Sequence, residues 1–363
     1  MIVYFFANTQ HENLGDRGIA ISLLAEVRSF AETIVNAKGC PEDYVDELAG
    51  YSDNVVRESK LSSVLSMVLK RLSGKKVFLL MKPGHFFGND GGVLSKFLQF
   101  FVFLMLYAFG VRVVRLGCSL GPFGSTALFI EKISSRLFYK YTAREDYSIS
   151  YMKRSGAYRT TYFPDLAFAL PSTFIPPLGV GFEKRDTISL SFRSEDNILD
   201  TVWRVIEILH CGLGSGKKIR FVPVAQVTRD FSFLSKIASG AVCDIDKVVV
   251  YPQSSKEQIF DIYRKSEFII SNRLHALLFA AKLGCLPIAL IKKERNVKIV
   301  GVFEKVGLAD LIVDIDDPSL ESKVTHLFMN RDFYLKRVML AFEEQSVLIS
   351  DILHETFLGD CHG

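Results

Sequence analysis

Phe268-Ile269-Ile270-Ser271-Asn272-Arg273-Leu274-His275-Ala276-Leu277-Leu278-Phe279-Ala280 is the stretch that decides the fold. An apolar run, Phe268 to Ile270, meets a short polar turn and then an amphipathic segment reaching Leu283. Gly284 closes that segment, and a second apolar run follows from Pro287 to Ile291. The order predicts strand, turn, helix, strand, which is a parallel β-α-β unit. Leu274, Leu277, Leu278 and Ala281 fall at i, i+3, i+4 and i+7, so one face of the helix is expected in a core. Arg273 and His275 then sit where the strand ends and the helix begins. A cation there opposes the positive end of the helix dipole, at a cost of up to roughly 1 kcal/mol. The same place offers unpaired backbone N–H groups that suit phosphate or carboxylate. An anion held between these side chains and the helix would account for both. The competing reading is structural, with Arg273 reaching solvent along its stem and His275 a satisfied interior histidine.

Outward from this unit the same alternation recurs. In the N-terminal half, strands are expected at Ile2–Ala7, Val77–Met81, Val111–Leu116, Phe138–Ala143 and Thr160–Phe163, separated by helical patterns. The helix containing Leu61, Val64, Leu65, Val68, Leu69 and Leu72 follows the helical template throughout. Pro171 to Gly179, with three prolines, reads as a linker. Beyond it strands are expected at Thr187–Phe192, Ile219–Val224 and Val248–Tyr251, ahead of the opening motif. The expected fold is α/β, with two Rossmann-like parallel-sheet domains facing across a cleft: residues 1–172, and residues 173–363 including a helical tail from Asp332 to Phe357. In such sheets ligands bind at the carboxyl ends of the strands. The loops Asn8–Asp16, Lys82–Gly92, Gly117–Pro122, Arg193-Ser194, Gln226 and Asn272–His275 all fall on those edges.

Composition narrows the function. A chain of 363 residues with 49% hydrophobic residues can bury two cores. A net charge of +4 with dispersed Lys and Arg and no basic aromatic platform argues against nucleic acid, but suits anionic small molecules. The six cysteines form no CxxC pair and have no histidine at ligand spacing, so neither a disulfide framework nor a metal site is expected. Met1 leads directly into a strand-like run, so a cytoplasmic location is expected. Phe97 to Val111 is almost wholly apolar, yet its 15 residues fall short of the ~20 needed to span a bilayer. It reads as a buried crossover helix, with docking on a membrane surface as the other reading.

Three side chains stand out for chemistry. Arg193 follows a buried strand and, with Arg273, could clamp a small polyanion through bidentate bonds; the plainer reading is an ion pair with Glu195 or Asp196. His275 is the candidate for proton transfer, a role worth about 10²–10⁴ in rate. His85 is a second, weaker candidate. Asn13-Leu14-Gly15-Asp16 precedes a helix expected near Gly18, so Asp16 is either an N-cap or a contact to a polyhydroxylated ligand. Gly91 and Gly92 end a glycine-rich loop that indicates close backbone approach and lacks the Lys-Ser/Thr pair of a phosphate-binding P-loop.

Taken together and in order, several segments resemble the polysaccharide pyruvyl transferase family. They are Asn13-Leu14-Gly15-Asp16, the loop ending Gly91-Gly92, Ser119-Leu120-Gly121-Pro122-Phe123, Ala143-Arg144-Glu145-Asp146-Tyr147-Ser148 and Asp165-Leu166-Ala167-Phe168. Ser191-Phe192-Arg193, Arg273-Leu274-His275-Ala276 and the segment from Lys298 to Gly307 complete the set. The chain departs from the family at Leu166, where proline is frequent, and at Val224-Ala225-Gln226, which lacks a histidine. The resemblance implies a GT-B-like fold and transfer of the carboxyethylidene unit of phosphoenolpyruvate onto sugar hydroxyls, with no further cofactor. It implies His275 as the catalytic group, and Arg193, Arg273, Lys298, Asn13, Asp16, Gly91, Gly92 and Ser119 as substrate-binding residues. The implied acceptor is a cell-surface glycan or its lipid-linked precursor, which allows peripheral membrane contact. A sugar-nucleotide glycosyltransferase and a non-catalytic scaffold for glycans or phosphorylated ligands are the alternatives on the same architecture.

Overall fold

The computed structural model describes residues 1–86, 92–157, 159–175, 185–195, 198–212, 219–240, 243 and 245–359. They form two compact units. Met1–His11, Asp16–Leu170 and Ser346–Gly363 make the first, and Glu12–Gly15 with Pro171–Gln345 the second. Gly91, the last four residues of the expected linker (176–179) and Asp196 lie outside the described residues.

The first unit runs β1 (Ile2–Phe6), α1 (Leu14–Arg28), β2 (Glu32–Asn36), α2 (Glu42–Ala49), β3 (Asn54–Val56), α3 (Lys60–Leu72), β4 (Val77–Leu80) and β5 (Gly84–Phe86). It continues with α4 (Gly92–Ala108), β6 (Arg112–Leu120), α5 (Ser125–Ser135), β7 (Phe138–Ala143), α6 (Asp146–Arg154) and β8 (Thr161–Tyr162). The strands are ordered β3-β2-β1-β4-β6-β7-β8, with β5 beside β6, and the described pairings are parallel. Apolar strands such as Val77-Phe78-Leu79-Leu80, buried at every position, are what a sheet covered on both faces demands.

Two expectations about this unit are corrected, for residues 117–120 and for α4, and α3 adds a feature that its periodicity did not specify. Gly117 to Leu120 is strand, not turn: Gly117 takes φ +60° where the β6–β7 register shifts, and the strand resumes to pair with β5. Helix α3, capped by the Ser59 hydroxyl, turns Val64, Met67 and Val68 inward but leaves Leu61, Leu65, Leu69 and Leu72 exposed. Helix α4 is a crossover, yet Lys96, Phe103 and Leu106 are its buried residues, and most of the apolar run faces outward. In both helices the apolar arc is wider than one sheet face can cover.

The second unit contains β9 (Thr187–Ser191), α7 (Ile198–Gly212), β10 (Arg220–Ala225), α8 (Phe231–Gly240), β11 (Val249–Val250), α9 (Lys256–Lys265), β12 (Ser266–Ser271) and α10 (Leu274–Lys282). After them come β13 (Leu286–Ile291), α11 (Val297–Lys305), β14 (Ile312–Asp314), α12 (Leu320–Met329) and α13 (Arg331–Leu358). The order β11-β10-β9-β12-β13-β14 is again parallel and reverses direction between β9 and β12. Here the predicted β-α-β unit is realised, since β12 and β13 pair in parallel around α10. Helix α10 is more enclosed than its amphipathic spacing suggests. Ala276 through Ala281 are all buried, because Phe279 packs edge-on against Phe174 and Phe260. Leu274, expected in the core, is only half-buried. Helix α13 belongs to the second unit up to Gln345 and to the first from Ser346, where Phe357 packs against Phe78 at 4.8 Å between ring centres.

Candidate functional site

The reversal of strand order in the second unit brings two loops side by side. Ser191 at the end of β9 is in register with Ser271 at the end of β12, and each is followed two residues later by an arginine, Arg193 and Arg273. This is the switch point at which open parallel sheets bind ligands. Asn272, almost wholly buried, joins the loops: its Oδ1 accepts from the Arg193 backbone N–H at 2.8 Å, and its Nδ2 donates to the Arg193 carbonyl at 3.0 Å. Sequence reasoning gave Asn272 no role, because its partner lies 79 residues away.

Both arginines already meet carboxylates. Arg193 pairs with Glu195 at 2.7 Å through Nη2, as the plainer reading allowed, and the same Nη2 donates to Asn296 Oδ1 at 2.9 Å. Arg273 pairs with Asp230, a residue the sequence gave no reason to select. The pair is poorly matched. Burial, opposed by Asp230 and reinforced by Arg229 and Arg193, lowers the pKa of Arg273. Burial likewise raises that of Asp230 against the pull of Arg273. Arg273 Nε is buried and has no hydrogen-bond partner among the described residues, a condition that costs roughly 1–3 kcal/mol. Asp230 thus answers Arg273 and Glu195 answers Arg193, with Arg229 a further cation in the field, and the excess of positive charge favours an additional anion.

His275 occupies the first turn of α10, two residues beyond Arg273, with its ring stacked on Phe279 at 6.0 Å. Gly15, which belongs to the same compact unit, explains how the ring fits. A Cβ built on Gly15 would stand 2.5 Å from His275 Nδ1, so no side chain can occupy that position without displacing the imidazole. Leu14 N–H donates to the Gln226 carbonyl at 3.1 Å and fixes this approach. Asn13 Oδ1 accepts from Gly15 N–H at 3.1 Å, the bond of an N-cap residue. The capping role expected of Asp16 therefore falls to Asn13, and Asp16 lies inside the first turn of α1. Lys298 lies in the first turn of α11, two residues past the Asn296 that binds Arg193.

The first unit gathers other motif residues into a buried network. Arg144 Nε donates to Ser119 Oγ at 2.8 Å, and Arg144 also pairs with Asp165. Ser119 Oγ in turn donates to Glu145 Oε2 at 3.1 Å, and Ser148 donates to the same carboxylate. Burial alone would depress the Arg144 pKa, but Asp165 and Glu145 hold it above its ordinary value. Ser119 is 1% exposed, with its hydroxyl committed to this network. Gly92 is the exposed first residue of α4, at φ +73°. His85 lies in β5, and its Nε2 donates to the Gly121 carbonyl at 3.0 Å, which fixes that nitrogen as the protonated one. Among the described residues no group of His, Cys, Asp and Glu could hold a metal ion.

The model of the family described as polysaccharide pyruvyl transferase matches residues 13–290, more than three quarters of the chain. The chain belongs to that family. It is a transferase, and the ordered motifs, from Asn13 to the Arg273-Leu274-His275-Ala276 turn, lie within the matched span. No curated protein is significantly similar to it in sequence. Solved structures share its fold at low identity. The HepE protein of Anabaena in complex with UDP-glucose has a TM-score of 0.61 at 12% identity, covering 99% of this chain and 100% of that one. The UDP-GlcNAc 2-epimerase of Neisseria meningitidis bound to UDP-GlcNAc has a TM-score of 0.57 at 12% identity, covering 99% of each chain. A mutant of the O-GlcNAc transferase of Thermobaculum terrenum has a TM-score of 0.58 at 10% identity, covering 98% of this chain but 66% of that one. The likeness establishes the GT-B-like class of two Rossmann-like units expected from the sequence.

Proposed function

We propose that this pyruvyl transferase takes the carboxyethylidene group from phosphoenolpyruvate and installs it as a ketal on two hydroxyls of a cell-surface glycan or its lipid-linked precursor. The observation that carries the donor assignment is the under-compensated guanidinium of Arg273 at the switch point, beside Arg193 and at the amino end of α10. Phosphoenolpyruvate brings a phosphate and a carboxylate, the two groups that guanidinium forks and helix N–H groups bind best. Lys298, on the neighbouring helix α11, is the proposed third cation. Asn13 and Asp16 at the start of α1, with Gly91, Gly92 and Ser119, are proposed as acceptor-binding residues, the Ser119 hydroxyl being held by Arg144 and Glu145.

In the proposed reaction His275 gives a proton to the methylene carbon of the donor, and positive charge develops at the adjacent carbon. A sugar hydroxyl adds there and returns its proton to the imidazole. Phosphate then leaves with the carbon–oxygen bond pair, and a second hydroxyl closes the ketal as its proton passes to solvent or phosphate. Phosphoenolpyruvate and a diol become a ketal and inorganic phosphate, with no change in oxidation state and no further cofactor.

The test is incubation with phosphoenolpyruvate and a panel of β-galactoside and N-acetylhexosamine acceptors, following phosphate release and the mass of the sugar. A mass gain matching one carboxyethylidene unit per phosphate is expected. His275→Gln should lower kcat about 10²–10⁴-fold with little change in donor affinity; unchanged turnover would remove His275 as the acid. A second reading, sugar transfer from a nucleotide donor, is favoured by the UDP-sugars held in the Anabaena and Neisseria meningitidis structures of the same fold. It predicts UDP release from a UDP-sugar and no phosphate release from phosphoenolpyruvate.

A further inference from the structure

Helices α3 and α4 present an apolar surface that the first unit does not cover. Leu61, Leu65, Leu69 and Leu72 lie 52–68% exposed along α3, at the spacing of one helical stripe. On α4, Leu94, Leu98 and Phe101 are 59–74% exposed, again on one side. The two helices pack on a common core. Val64, Met67 and Val68 of α3 share a core cluster with Phe103 and Leu106 of α4. At the far end Arg71 Nε donates to the Gly110 carbonyl at 3.1 Å. Soluble monomers rarely expose so continuous a patch, and one of this kind marks an interaction surface.

Charge says what the surface fits. Neither helix contains an aspartate or glutamate. From Lys60 to Arg112 the sole acid in the sequence is Asp90, whereas Lys70, Arg71, Lys75 and Lys76 cluster at the end of α3 and Arg112 follows α4. A protein partner, or a second copy applied face to face, would have to supply its own carboxylates, and these helices have none to offer a copy of themselves. A bilayer with acidic headgroups supplies both an apolar layer for the leucines and phenylalanines and negative charge for the bases. The 17 residues of α4 extend about 26 Å at ~1.5 Å per residue, and no described helix is long and apolar enough to cross a membrane. The geometry suits lying in the interface, not spanning it.

We propose that the α3–α4 face docks this enzyme on an anionic lipid surface, the leucine and phenylalanine stripes entering the headgroup–acyl boundary and the Lys70–Lys76 cluster meeting acidic headgroups. This does not depend on the identity of the donor. The test is cosedimentation of the full chain with vesicles of phosphatidylcholine alone and with about one third phosphatidylglycerol. Binding to the anionic vesicles is expected, weakening at high salt because exposed charges are screened. Leu65→Gln combined with Leu98→Gln and Phe101→Gln should weaken it at least tenfold, and Lys70→Glu with Lys75→Glu and Lys76→Glu should remove the preference for acidic lipid. Both variants should keep the wild-type Tm and turnover on a soluble acceptor, since the altered side chains are exposed or half-buried and none is a site residue. Equal binding to both vesicle types, or no binding, overturns the proposal. A concentration-dependent dimer that the glutamine variant abolishes, without vesicle binding, overturns it in favour of a second copy.

Discussion

Arg144 and Arg273 hold matching positions in the two units, each just past the end of a parallel strand where a helix begins, yet they meet opposite environments. Arg144 follows β7 and is over-supplied with acceptors, with Ser119, Asp165 and Glu145 around it. Burial is its largest single influence, yet two carboxylates together outweigh it and keep its pKa above the ordinary value. Arg273 follows β12 and is under-supplied. It has one carboxylate, a buried Nε without a partner among the described residues, two cations in its field and a depressed pKa. On the proposed function, the difference separates a guanidinium that completes a structure from one that receives the donor. Buried arginine alone signals neither; the count of acceptors around it does.

The comparison can be broken most forcefully at Arg144. Arg144→Leu strands two buried carboxylates, and should lower the unfolding free energy by about 3–5 kcal/mol, measured by urea titration. A loss of less than 1 kcal/mol would mean the network is not what holds the first unit together. Next in size is Arg273→Lys, which keeps the charge and removes the planar fork. The donor KM should rise about 10–100-fold, consistent with roughly 1.5–3 kcal/mol for hydrogen bonds to charged groups, while the urea midpoint moves less than in Arg144→Leu. If stability falls and donor binding does not, Arg273 is structural and the contrast fails. The smallest effect is on pH dependence. The raised pKa of Asp230 means that its contribution to stability is full below the ordinary carboxylate range and is lost as pH rises through the folded value. The stability of wild type minus that of Asp230→Asn should therefore shrink as pH rises from about 4. A difference that grows with pH would place Asp230 among well-compensated carboxylates, alongside those serving Arg144.

Much of this was legible in the chain before any coordinates. The 3.6-residue and continuous apolar patterns around residues 268–291 specify strand, helix and strand, because backbone hydrogen bonding and burial permit few other readings of them. The placement of Arg193 and Arg273 at strand ends followed from the same pattern. What was not legible depended on partners far away in sequence. Periodicity states that α3 and α4 have apolar faces but not how much of each face a neighbour covers, so the phenylalanines of α4 read as core. Six residues of α10 are buried because Phe174 and Phe260 close its second side, which the sequence of the helix cannot contain.

The sequence by itself determined the alternation of strands and helices, the sites where cations meet helix N-termini, and the absence of any acid from α3 and α4. Each is a property of neighbours along the chain. Only the tertiary structure decided which arginine is satisfied and which is not, why position 15 must be glycine beside His275, and which apolar faces stay uncovered. Those depend on the spacing of groups tens to hundreds of residues apart, and electrostatic and packing energies are set by distance in space, not by order along the backbone.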